Sequence, residues 1–248
     1  MYFKCIFMAG VASLSLCAAG CGDQGGCSGD PSAGAQQVVS GVEIPEDLSA
    51  DDALICVVRH AEAWKNVAED QRPSGLTEAE LDTLTPAGEG RARDVGAALA
   101  AALGDRTSCW ASSTAGRAIQ TAELAAAAWR ERRGAVAPAP LEVTDALAPL
   151  AGSAPWEVRV AALEAGEDFR PSDGESFADG RDRALVWLDE ASRASAGGGA
   201  CAVRVLVTHG DIAMALLAQL AGRTLQQGLE ADELDTGAAR CVAAGAAP

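Results

Sequence analysis

The sequence predicts an α/β fold, a three-layer α/β/α sandwich with a mostly parallel sheet. Two runs, LICVV at 54–58 and VRVLV at 203–207, are almost continuously apolar over the length of a strand, as in strands covered on both faces. Around them, segments with apolar residues at helical spacing alternate with short strand-like runs, the order that gives parallel crossovers. The chain of 248 residues is 49% hydrophobic and 22% charged, enough to bury an ordinary core and too apolar for global disorder.

Residues 1–20 carry a single charge, Lys4, and the apolar run CIFMAGVASLSLCAAG, which has the length of a signal-peptide core and is short for a membrane span. Small residues precede Cys21, and Ala-Ala-Gly-Cys resembles the lipobox of bacterial lipoproteins, although Ala18 stands where that motif usually has Leu. The resemblance implies export and lipidation at Cys21. Gly22, in place of an Asp, implies no retention at the inner membrane and hence an anchor in the outer membrane, facing the periplasm or the surface. A plainly cleaved secretory signal and a retained helix are the alternatives. Residues 21–51, rich in Gly, Ser and acids and without periodicity, read as a flexible tether. Residues 52–248 read as the folded domain.

Within that domain Leu54–Val58 is the first strand. Thr85-Pro86 marks a helix start, with Thr as N-cap and Pro in the first turn, and Val95, Leu99 and Leu103 follow at helical spacing. Cys109–Ser112 is a short strand. A helix over about 115–132 places Ile119 and Leu124 inward, and Leu141–Val143 is another short strand. Residues 156–165 and 175–193 read as helices. Val203–Val207 is the second strong strand, followed by a helix carrying Ile212, Leu216 and Leu220, and Cys241–Ala244 reads as a last, edge strand.

Of the eight cysteines, Cys5 and Cys17 fall in the signal and Cys21 would carry lipid. For Cys27, Cys56, Cys109, Cys201 and Cys241 two states stay open. An oxidising compartment permits disulfides, and cysteines in or beside strands are often buried thiols. With no CxxC pair, a zinc site is not expected.

A net charge of −16 and a pI near 4.4 argue against nucleic-acid partners and against adhesion to anionic lipid. An aromatic content of 4% argues against base-stacking platforms. The chemistry-bearing signal lies in the only two histidines, His60 and His209. Ligands of parallel sheets gather at the carboxyl ends of strands. Both histidines stand directly there, in Arg59-His60 and in Thr208-His209-Gly210. A third element, Ser113-Thr114-Ala115-Gly116-Arg117, joins a short strand to a helix. With Thr114 as N-cap, Arg117 falls in the first turn beside free backbone amides, the outline of a phosphate site.

Together these pieces resemble the histidine phosphatase superfamily (branch 1), the phosphoglycerate mutase-like proteins. The Arg-His-Gly motif of that family stands here as Arg59-His60-Ala61-Glu62, and its phosphate-contacting Asn as Asn66. Its Leu-Thr-x-x-Gly helix start is LTPAG at 84–88, and its Ser-Pro-Leu-x-Arg-Ala-x-Gln-Thr motif is matched within SSTAGRAIQT at 112–121. Gly-Glu-Ser at 174–176 and Thr208-His209-Gly210 complete the family's order.

The resemblance implies a phosphomonoesterase in which His60 is the nucleophile and forms phosphohistidine. Arg59, Arg117 and His209 would stabilise the transferring phosphoryl group, and Asn66, Glu62 and Glu175 would contact substrate. Neither a metal nor a cofactor is implied. The partner would be a small phosphorylated substrate or a phosphoprotein. Ala61 replaces the family's glycine, a mild departure. The larger one is the proton donor: many relatives have a Glu two residues after a Leu, where this chain has Pro149 after Leu147. Asp211 is the first substitute, then Glu175 and Asp145. A site without a donor would suit a non-catalytic phosphate-binding or scaffold lipoprotein, the rival reading. The pocket walls are expected from 62–83 and 145–178, whose acids disfavour polyphosphates. Trp64, Trp110 and Trp156 are read as core, with the pocket rim as the alternative.

Overall fold

The computed structural model describes residues 36–39, 41–49, 52–134, 141–195 and 201–244. The expected signal, the lipidation site Cys21 and the tether up to residue 35 lie outside the described residues. Strands β1 (Gln36–Val39), β2 (Val42–Pro45), β3 (Leu54–Arg59), β4 (Ser108–Ser113), β5 (Glu142–Thr144), β6 (Val203–Thr208) and β7 (Ala239–Ala243) form a sheet of order β1-β2-β7-β3-β6-β4-β5. Pairing is parallel from β3 through β6 and β4 to β5 and between β2 and β7, and antiparallel for β1–β2 and β3–β7. The helices are α1 (Glu78–Leu81), α2 (Pro86–Leu103), α3 (Gly116–Arg133), α4 (Trp156–Glu164), α5 (Phe177–Ser195), α6 (Gly210–Leu220) and α7 (Leu225–Ala231).

The alternation of β3 shows why the sheet is covered twice. Leu54, Cys56 and Val58 face one core with Val203, Val205 and Val207 of β6, closed by α2 and α3. Ile55 and Val57 face the other with Leu206, closed by α5 and α6 through Ala184, Leu188, Ile212 and Leu216. Successive strand residues point to opposite faces, so a strand buried on both sides must be apolar throughout, as these two are. The expected helix starting at Thr85 is present, with the Thr85 hydroxyl accepting from Gly88 N at 2.9 Å.

Three expectations need correction. The tether does not reach residue 51. Residues 36–45 form the β1–β2 hairpin, and Val42 and Ile44 are buried in the first core. Their apolar alternation in VEIP is too short to stand out among the surrounding acids. Because this hairpin covers β7, the last strand is interior rather than an edge. Helix α3 turns Ala118, Ala122, Ala125 and Trp129 inward, leaving Ile119 and Leu124 half-buried. The reason is close packing: at Gly96 of α2 an added Cβ would lie 2.1 Å from the Ala125 carbonyl oxygen, so only small residues fit along this seam. Of the two states left open for the cysteines, the structure has disulfides, Cys56 with Cys241 and Cys109 with Cys201. The first pair is brought together by antiparallel register, since Cys56 lies directly across from Cys241.

Candidate active site

Strand register assembles the site. Arg59 of β3 lies opposite Thr208 of β6, and Val207 of β6 opposite Ser112 of β4, so the three central strands end at one level. The residues that follow or close them, His60, His209 and Ser113, therefore meet. The two imidazole centroids are 5.1 Å apart. Arg117, in the first turn of α3, comes between the rings: its Nε donates to His60 Nε2 at 3.0 Å and its Nη2 to His209 Nδ1 at 2.9 Å, while Nη1 pairs with Asp82.

These contacts set the tautomers. The Ala61 carbonyl oxygen can only accept, so His60 Nδ1, 2.8 Å away, carries the proton and Nε2 holds the lone pair. Arginine can only donate, so His209 accepts at Nδ1 and donates from Nε2 to Ser113 Oγ at 2.8 Å. Burial, reinforced by the Arg117 and Arg59 charges and opposed by the Ala61 carbonyl, lowers the pKa of His60 to about 4. Burial, with Arg117 and His60 adding to it, lowers that of His209 to about 2. Both rings are neutral at neutral pH.

Thr121 ties the loop after β3 to α3. Its hydroxyl accepts from Ala61 N at 3.0 Å and donates to the Arg117 carbonyl at 2.7 Å. Arg59 donates through Nη1 to the Leu234 carbonyl at 2.7 Å. Its guanidinium runs alongside Gly210, where a Cβ would approach it to 3.3 Å. Arg59 Nε is buried and, among the described residues, has no hydrogen-bond partner, a donor that an anion would satisfy. Arg59, His60, Arg117 and His209 line one cavity of about 260 Å³, together with Pro149, Trp156, Gly210, Asp211, Met214, Leu229 and Glu233.

The four residues central to the expected site thus converge, and Asp211 joins them. Its Oδ2 accepts from Leu150 N and its Oδ1 from Ile212 N, each at 2.8 Å, and burial raises its pKa in spite of these bonds. The other three candidates do not line the cavity. Glu62 accepts from the Thr85 hydroxyl at 2.7 Å at the start of α2. Asn66 folds back on its own turn, accepting from Ala63 N at 3.0 Å. Glu175 is held by Arg183 at 2.9 Å and accepts from Ala151 N at 3.1 Å, so it orders the loop before α5, and the Arg183 hydrogen bond keeps its pKa low. Asp145, the remaining substitute acid, accepts from the Thr114 hydroxyl at 2.8 Å. Thr114 consequently does not cap α3.

Sequence reasoning missed Asp82, Glu233 and the place of Trp156. Asp82 pairs with Arg117 and caps α3 by accepting from Gly116 N at 2.7 Å. Burial works to raise its carboxyl, but the Arg117 hydrogen bond and charge outweigh this and hold it below the usual range. Of the expected core tryptophans Trp110 is buried, Trp64 half-buried and Trp156 exposed on the cavity wall. The wall itself comes from 149–156, 210–214 and the α7–β7 segment, not from 62–83. A branch-point from β6 through α6 and α7 back to β7 brings that last segment over Arg59, a long-range path with no local signal. Among the described residues no group of three or more His, Cys, Asp or Glu could hold a metal ion.

The model of the histidine phosphatase superfamily (branch 1) matches residues 55–241. Solved structures of similar fold include mycobacterial hydrolase 1, with 22% identity and a TM-score of 0.54 over 76% of this chain and 90% of that one. Mycobacterial glucosyl-3-phosphoglycerate phosphatase, in complex with VO3, has 20% identity and a TM-score of 0.53 over 76% and 90%. Bacillus stearothermophilus YhfR has 22% identity and a TM-score of 0.55 over 78% and 93%. At these identities the likeness shows the fold alone. No curated protein matches significantly. With strand order, paired histidines and family match agreeing, the chain belongs to branch 1 of the histidine phosphatase superfamily.

Proposed function

We propose that this protein is an exported phosphomonoesterase that works through a phosphohistidine. The observation that carries the reading is the convergence of His60 Nε2, His209 and the two guanidinium groups on one cavity. His60 attacks phosphorus with the Nε2 lone pair while Nδ1 keeps its proton on the Ala61 carbonyl. The bond from phosphorus to the ester oxygen breaks. Arg59, Arg117 and His209 stabilise the charge spread over the equatorial oxygens. The leaving oxygen takes a proton from Asp211, whose raised pKa suits a general acid. Water then attacks the phosphohistidine, the P–N bond breaks, and the Asp211 carboxylate accepts the water's proton. These side chains supply nucleophile, charge stabilisation and proton without a metal ion. The Asp211 carboxyl in the cavity wall favours this reading over a site that binds phosphate without turnover.

Export and lipidation at Cys21 belong to the same proposal. The disulfides Cys56–Cys241 and Cys109–Cys201 suit an oxidising compartment and support it.

The direct test is phosphate labelling of the purified protein. Wild type should take up an acid-labile, alkali-stable label and hydrolyse p-nitrophenyl phosphate, and His60→Ala should do neither. A label that persists in His60→Ala overturns the nucleophile assignment.

A further inference from the structure

Resting on that reading, we infer that the site selects phosphomonoesters whose alcohol portion is apolar and carries no second negative charge. Away from the histidines the cavity wall is built from Pro149, Trp156, Met214 and Leu229. Trp156 is 42% exposed, at the start of α4, and its ring is braced edge-on against buried Phe177, with centroids 5.6 Å apart. An exposed but braced indole presents a flat apolar face at little entropic cost. The cavity adjoins a second one of about 410 Å³, which shares Trp156, Leu229 and Glu233, so there is room for a leaving group larger than a single ring.

The charges on these walls sort substrates. In the first cavity the cations are Arg59 and Arg117, both assigned to the phosphate in that reading, and the other ionisable groups, the two histidines aside, are the carboxyls of Asp211 and Glu233. In the second the charged residues are Glu164, Glu230 and Glu233, all carboxylates. Lys65, 3.5 Å from Asp82, lines neither cavity. A second anionic group on the alcohol would leave water to face carboxylates, with no cation to replace its hydration.

The experiment compares kcat/KM for phenyl, naphthyl and carboxynaphthyl phosphate, whose leaving groups differ little in reactivity. Wild type should favour naphthyl over phenyl phosphate by about tenfold, as an added apolar contact in a pocket does. It should disfavour the carboxylated analogue by about tenfold relative to naphthyl phosphate, as an uncompensated like charge does. Trp156→Ala should abolish the naphthyl preference, lowering kcat/KM for naphthyl phosphate more than for phenyl phosphate. Glu233→Lys should relieve the penalty on the carboxylate. Equal rates on phenyl and naphthyl phosphate, or a preference for the carboxylated ester, would overturn the inference and leave the phosphatase reading standing. No turnover of any of the three would overturn both.

Discussion

Acidification tests whether the nucleophile is a neutral imidazole. An ordinary histidine titrating at about 6.5 is about 97% charged at pH 5, whereas one titrating at about 4 is about 9% charged. Since the protein contains only two histidines, its proton NMR spectrum has two imidazole Cε1–H resonances, and His60→Ala assigns them. Neither should move between pH 7 and pH 5.5, and the His60 resonance should titrate near 4. The same shift is linked to stability. Between pH 6.5 and 4 the unfolded chain binds a proton at His60 that the folded chain refuses, so stability falls as pH falls through that window. For His60 the loss is about 3 kcal/mol, and His209, lowered further, adds to it. Urea unfolding at pH 7, 5.5 and 4.5 measures this against His60→Asn, which should flatten the pH dependence. A His60 midpoint at or above 6.5 would refute the argument from burial and the neighbouring guanidinium groups.

Arg117→Lys keeps the charge but cannot donate to both rings and Asp82, so kcat/KM for p-nitrophenyl phosphate should fall by about 10²–10³. Asp211→Asn should slow hydrolysis of alkyl phosphates by about 10²-fold or more while affecting p-nitrophenyl phosphate little, because nitrophenolate leaves without a proton; equal loss on both substrates removes Asp211 as the acid. Gly96→Ala should destabilise the domain by about 1–3 kcal/mol in urea unfolding, since its methyl would press on the Ala125 carbonyl where α2 meets α3.

Residues legible in the sequence were those whose position follows from local rules. His60 and His209 sit at strand ends because LICVV and VRVLV can only be covered strands, and Arg117 sits in a first helical turn by its spacing from Ser113. The α/β sandwich followed from the same alternation. What escaped depends on contacts far apart in the chain. Glu233 and Leu234 reach Arg59 only because β7 returns between β2 and β3. Asp82 meets Arg117 through a loop whose path no periodicity predicts. Glu62, Asn66 and Glu175 matched the family's motifs in order, yet each carboxylate or amide is occupied by a neighbouring backbone or side-chain donor. A motif specifies residue type and order, and it does not say which way a side chain turns.

Arg117 carries the consequence of this arrangement for catalysis. In the free protein its Nε donates to the His60 Nε2 lone pair, the one that attacks phosphorus in the proposed mechanism, so that mechanism requires this hydrogen bond to be exchanged before phosphoryl transfer. An arginine free to leave would lose its orientation as it let go. Asp82 prevents this: it stays ionised, holds Nη1, and is itself fixed by Gly116 N at the head of α3. With one arm anchored on Asp82, the proposed mechanism asks Nε and Nη2 alone to exchange the two imidazoles for phosphate oxygens. In the same proposal a phosphate oxygen would accept from Arg59 Nε, which has no hydrogen-bond partner among the described residues. The neutral state of both rings and the Asp82 anchor are therefore one device. Burial, with the neighbouring guanidinium charges adding to it, lowers the histidine pKa values, and the Asp82 carboxylate keeps the nearest of those cations in register.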